Sequence, residues 1–173
     1  MEEQDLNSKK HILTYGGLTG TVGVIFGIML FTQNLHYEQS FSIQAIQFII
    51  LGIFVIIATI QYKKSNDGYL KIGQALKIGA GVGALAALIG ILWFFVMSNV
   101  IEPDYMDKTM EIAKTNAFET NPKLTQEQWD QAVSFQKKFF PIFMGFGIVI
   151  SSIFGLIVGL ITGAIIKKER SSY

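Results

Sequence analysis

The sequence predicts an all-α integral membrane protein: a four-helix bundle with an extramembrane helical hairpin between its third and fourth spans. Three observations carry this. Half of the 173 residues are hydrophobic and only 16% are charged, against about 25% charged in an ordinary water-soluble domain. The apolar residues are gathered into four long blocks, at about 12–32, 43–62, 78–100 and 142–166. None of the four contains Asp, Glu, Lys, Arg or His.

Each block meets the length requirement, since a hydrocarbon core of about 30 Å needs roughly 20 residues of helix. Backbone polar groups in hydrocarbon must be bonded within the segment, which leaves helices as the reading. The first block is expected to be a retained helix and not a cleaved signal, because no small-x-small site precedes Gln33-Asn34. The whole chain, 1–173, reads as a single membrane domain.

Lysines and arginines set the expected orientation. Lys9, Lys10, Lys63, Lys64, Lys71, Lys77, Lys167, Lys168 and Arg170 fall on one side. The loop 101–140 on the other side carries Lys108, Lys114, Lys123, Lys137 and Lys138 among seven acidic residues. Both termini are therefore expected in the cytoplasm, with 101–140 outside.

Between spans two and three, the stretch 63–77 reads as an inner amphipathic elbow. Tyr69, Ile72 and Leu76 share one face of a short surface helix that follows the turn Asn66-Asp67-Gly68. The outer stretch 101–140 divides into two helical patterns. Glu102-Pro103-Asp104 opens the first, with Met106, Met110, Ala113 and Ala117 on one face. Asn121-Pro122 breaks it. Thr125 and Gln128 form a capping box for the second, whose apolar face holds Trp129, Ala132, Val133 and Phe140. Pro141 marks the junction with span four as a kink or a fresh start.

Glycine is the most patterned residue. Gly16, Gly20, Gly23 and Gly27 share a face of span one; Gly79, Gly83 and Gly90 share one of span three; Gly155, Gly159 and Gly163 form a zipper on span four. Small residues let helix backbones approach closely in lipid, so these are candidate packing faces, within the bundle or in a homodimer. Span two has only Gly52 in a bulky surface and is expected to face mostly lipid.

Chemistry is sparse. Gln33, Asn34, Gln44, Gln47, Asn99 and Glu102 gather near the outer ends of the spans as a candidate polar cluster, either a vestibule or interfacial groups satisfied by water. His11 and His36 are expected on opposite sides of the membrane, so they cannot share a metal. Asp104, Asp107 and Glu111 fall on one helix face and read as a solvated charged surface sooner than a divalent-cation site. Ser151 and Ser152 read as bonded to their own helix backbone. The absence of cysteine excludes disulfides and thiolate metal sites. With a formal net charge of +1, there is no field to draw nucleic acid. No cofactor or metal is expected, and no nucleophile–base pair is legible.

The run Gly68-Tyr69, followed by Ile72-Gly73-Gln74-Ala75-Leu76-Lys77-Ile78-Gly79, and the run Asn99-Val100-Ile101-Glu102-Pro103-Asp104-Tyr105 carry a resemblance. They are similar to segments of a family of small four-span bacterial membrane proteins, the domain of unknown function numbered forty-one ninety-nine, found in Bacteroidota. Ile72 stands where that pattern usually shows an aromatic. The resemblance implies a bacterial inner membrane and a periplasmic hairpin; it supplies no activity, cofactor or site residue. The expectation is a non-enzymatic inner-membrane protein acting by interaction through its hairpin or its glycine faces. Its partners would be the bilayer and either a second copy or another membrane protein. The alternative is a small transporter or channel-forming subunit working as an oligomer.

Overall fold

A computed structural model describes residues 2–38 and 40–169; Arg170, counted above with the basic residues, lies outside the described residues. The chain is all-α, with helices α1 (Glu2–Thr32), α2 (Phe41–Ser65), α3 (Ile72–Val96), α4 (Tyr105–Thr120) and α5 (Gln126–Ile166). A π-helical turn, Met97–Ile101, follows α3. Four segments are long and apolar enough to cross a membrane: Ser8–Thr32, α2, Ile72–Ile101 and α5, with mean hydropathy from 1.6 to 2.5. By length and composition this is a multi-pass membrane protein. α1 begins ten residues before the apolar block because nothing in 2–11 is glycine or proline, so its backbone hydrogen bonds continue into polar sequence.

The chain forms two compact units, Met1–Gly90 with Gly147–Tyr173, and Ile91–Phe146. In the first, the helices close a ring of contacts. α1 packs on α2 and lays Gly16 and Gly20 against Leu85 and Ile89 of α3. α3 meets α5 along facing glycines, and α5 returns to α2 through Phe154, which touches Gly52 and pairs with the Phe48 ring at 4.9 Å.

α2 leaves most of its surface open, as expected, with 28% of its apolar window buried. One stripe departs from that reading: Leu51, Val55, Ala58 and Tyr62 bring more to the buried core than any other helix. Glycine-lined helices leave volume that bulky side chains must fill, and α2 supplies them. Its opposite face, with Ile46, Ile49, Ile53, Ile56 and Ile57, is exposed to the surroundings. The remaining core residues, Leu70, Ala75, Ile78 and Val82, lie in and just after the elbow.

The elbow also differs from expectation, because it holds no separate surface helix. α2 runs to Ser65, the chain reverses through Asp67 (φ 55) and Gly68 (φ +79), and α3 begins at Ile72. The Gly68 N–H returns to the Lys63 carbonyl at 2.9 Å, and the Asn66 side chain ties down the Tyr69 carbonyl. Gln74 Oε1 then accepts the Lys71 N–H and caps the start of α3. The periodic face at Tyr69, Ile72 and Leu76 therefore belongs to the turn and to the first turns of α3.

In the second unit, the Glu102 N–H closes the π turn on the Met97 carbonyl at 2.8 Å. The capping box forms: Thr125 Oγ1 accepts from the Gln128 N–H at 3.2 Å, and Gln128 Oε1 accepts from the Thr125 N–H at 3.0 Å. The end of α4 meets the start of α5 through the Phe118 and Trp129 rings, 6.4 Å apart. α5 does not restart at Pro141; the helix runs through it.

Candidate functional site

Along the α3–α5 seam the glycines of the two helices face each other. A Cβ built on Gly79 would strike the carbonyl of Gly155, one on Gly155 the carbonyl of Gly79, and one on Gly83 the carbonyl of Ser151. One on Gly159 would come within 2.5 Å of the Ala75 carbonyl, and one on Gly163 within 2.7 Å of the Ala75 Cβ. The register is antiparallel; Gly79, Gly83, Gly155 and Gly159 let one backbone touch the other, and Gly163 admits the Ala75 methyl. On α1, added methyls at Gly16 and Gly20 would meet Leu85 at 2.9 Å and Ile89 at 2.5 Å. Gly23 and Gly90 have nothing within 4 Å. Gly27 is half-buried.

Four serine and threonine hydroxyls in the spans are satisfied within their own helices. Thr19, Thr59, Ser152 and Thr162 donate to the carbonyls of Tyr15, Val55, Ile148 and Val158 at 2.6–2.8 Å. This is the usual resolution for hydroxyls where water is absent.

The polar cluster expected at the outer ends divides between the two units. Gln33, Asn34, Gln44 and Gln47 are exposed residues of the first; Asn34 sits in a turn with φ 58. Gln44 borders an apolar groove between α2 and α5 lined by Phe48, Ile49, Ile53, Ile153 and Ile157. Asn99 and Glu102 belong to the second. Asn99 Nδ2 donates to the Phe95 carbonyl and to Ser98 Oγ, closing on its own turn. Lys108 Nζ lies 2.8 Å from Glu102 Oε1 and 2.9 Å from Asp104 Oδ2. Hydrogen bonds to Glu102 first and Asp104 second hold its ammonium well above the ordinary lysine range. Asp104 thus faces a cation of its own chain, and no group of three His, Asp or Glu side chains is placed to hold a metal ion among the described residues.

A cluster at the α2–α3 elbow was not legible in the sequence. The Lys63 ammonium donates to the Ile166 carbonyl at 2.7 Å, satisfying one of the orphan acceptors at the end of α5. Beyond α5, Lys168 pairs with Leu70 in an antiparallel bridge, with N–H to carbonyl distances of 2.8 and 3.1 Å. The Lys168 ammonium lies over the Tyr69 ring. Beneath the bridge Leu70 and Tyr62 are fully buried, and the Tyr62 hydroxyl has no hydrogen-bond partner among the described residues. His11 packs its ring on Tyr62 and Tyr15 and places Nε2 3.3 Å from Ser65 Oγ.

This is a serine–histidine contact between residues 54 apart, where the sequence showed no such pair. The Ser65 hydroxyl also donates to the Tyr62 carbonyl at 3.0 Å. With its proton on that carbonyl, Ser65 is placed to accept from the imidazole in the tautomer that carries a proton on Nε2. The contact ties α1 to the end of α2. Only Lys63-Lys64 at a helix end hinted at any of this, through the preference of cations for helix C-termini.

The family model described as protein of unknown function, DUF4199, matches residues 14–168, and the chain belongs to that family. No curated protein and no solved structure matches it.

Proposed function

We propose that this is a non-enzymatic protein of a bacterial inner membrane that works by interaction, and that its Ile91–Phe146 segment is what a partner meets. The observation that carries the reading is the occupancy of the close-approach glycines; Gly23 and Gly90 on those faces are open. Gly79, Gly83, Gly155 and Gly159 are filled by each other's backbones, and Gly16 and Gly20 by Leu85 and Ile89. A face already closed within one chain offers no close-approach surface to a second. The Ile91–Phe146 segment, by contrast, is a compact unit with its own caps, ion pairs and ring contacts, and α4 buries none of its side chains fully. The back-bonded hydroxyls and the Lys108 pairing support a structural use of polar groups over a chemical one.

The lysine distribution supports placing both termini in the cytoplasm and residues 101–140 in the periplasm. The cysteine-free sequence makes the test clean. In intact cells, Asn121→Cys should react with an impermeant maleimide while Ser65→Cys does not; the reverse pattern would invert the protein. A short crosslinker on Asn121→Cys or Glu111→Cys should yield a discrete adduct in native membranes, absent when Ser65→Cys is used. Failure to form any adduct at either position, with sidedness as stated, would sink the interaction reading.

A further inference from the structure

α5 carries an apolar face too long for the membrane it crosses. Phe135, Phe139, Phe143, Phe146, Ile150, Ile153 and Ile157 follow one another at steps of four, four, three, four, three and four, one face of a continuous helix. Phe135, Phe143 and Phe146 are 58%, 47% and 57% exposed, and Ile150 and Ile153 are as open. Lys167 and Lys168 mark one membrane edge just past Ile166. Rising about 1.5 Å per residue, the helix leaves a hydrocarbon core of about 30 Å some 20 residues earlier, near Phe146. Held upright, it would lift Phe135 roughly 16 Å clear of that core. The three upper phenylalanines form one patch, with the Phe135 ring 4.4 Å from that of Phe139 and 6.4 Å from that of Phe143. Lys138 rims it, its ammonium 5.6 Å from the Phe139 ring centre.

We propose that the Phe135–Phe139–Phe143 face of α5 binds lipid, lying in the headgroup layer as the continuation of the span's lipid-facing stripe. Continuity identifies the occupant, since from Phe146 onward the same face belongs to a segment long and apolar enough to cross a membrane, and nothing polar interrupts it below Phe135. The rim fits as well: phenylalanines inward with a lysine at the edge is the composition of interfacial helices, the cation reaching lipid phosphate. Pro141 lies within the stretch that must lean. It has no N–H to give the Lys137 carbonyl, so the helix bends there at small expense. The opposite side of this stretch, with the exposed Lys137, stays in water. The inference goes beyond the interaction reading and holds whichever side of the membrane the segment occupies.

The test uses the full chain with Trp93→Phe and Trp129→Phe, reconstituted in phosphatidylcholine–phosphatidylglycerol vesicles, and one new tryptophan per variant. Phe135→Trp and Phe139→Trp should be quenched severalfold more strongly than Lys137→Trp by lipid spin-labelled near the headgroup, with blue-shifted emission. Equal quenching at all three positions would overturn the proposal, as would no quenching at Phe135 and Phe139. A high yield of Phe135→Cys disulfide dimer together with unquenched Phe139→Trp would assign the face to a second copy instead.

Discussion

Where α3 meets α5, the contact is backbone against backbone, and side chains are kept out by Gly79, Gly83, Gly155 and Gly159. In the Ile91–Phe146 segment the reverse holds. Its contacts are made by rings, a capping box and the Lys108 ion pairs, and Gly145, for one, has nothing within 4 Å of where its Cβ would be. The difference follows the composition of the two parts, one almost wholly apolar and the other carrying the chain's charged stretch 102–138. In lipid there is little hydrophobic drive between helices, so close approach supplies the association. Near water, burying rings and satisfying helix ends does more, at the price of looser packing. The same residue therefore means different things in the two regions: glycine is a contact in one and a point of low helix propensity in the other.

The sharpest break of that contrast is Gly79→Leu. The side chain has only the Gly155 carbonyl to push against, so the helices must part; a loss of about 3 kcal/mol is expected, at the upper end for overpacking, read by denaturant titration in micelles. Next is Lys63→Met, which strands the Ile166 carbonyl and loosens the Leu70–Lys168 bridge. About 1–2 kcal/mol is expected, with faster amide exchange at Leu70 as its local sign. Thr125→Ala should follow at about 1 kcal/mol, confined to the start of α5; equal loosening of the α3–α5 seam would show that the two regions are not separately built. The smallest effect is that of pH on the start of α4. Lys108 is held protonated above its ordinary range, so the stabilisation it gives is complete below about pH 10.4 and is lost only as pH rises through the higher folded value. Exchange at Tyr105–Lys108, corrected for its intrinsic pH dependence, should therefore show no change in protection between pH 7 and 9, and Lys108→Met should quicken it at both.

The spans and the capping box were legible because each rests on local sequence: apolar runs without charge, and Thr125 with Gln128 three residues on. The glycine faces were legible as faces, but periodicity does not say what lies opposite. Gly20 and Gly23 look alike in sequence, yet one meets Ile89 and the other open space. Gly81 was passed over, although its missing side chain admits Ile12 at 2.7 Å. The buried stripe of α2 was hidden for the complementary reason, since bulky residues on a mostly open helix do not show which of them fill a cavity. The elbow cluster was out of reach altogether, because Lys63–Ile166 and His11–Ser65 join residues 103 and 54 positions apart through carbonyls and rings that carry no spacing signature.

The most direct measurement compares Gly155→Ala with Gly90→Ala in the same detergent, following thermal unfolding and oligomeric state together. Gly155→Ala should lower the midpoint in a protein of unchanged oligomeric state. Gly90→Ala, with nothing near its new methyl, should leave it unchanged or raise stability by up to about 1 kcal/mol. If Gly155→Ala instead left the midpoint untouched while breaking an oligomer, the seam would lie between chains. The claim that this protein keeps its glycine faces for itself would then be contradicted.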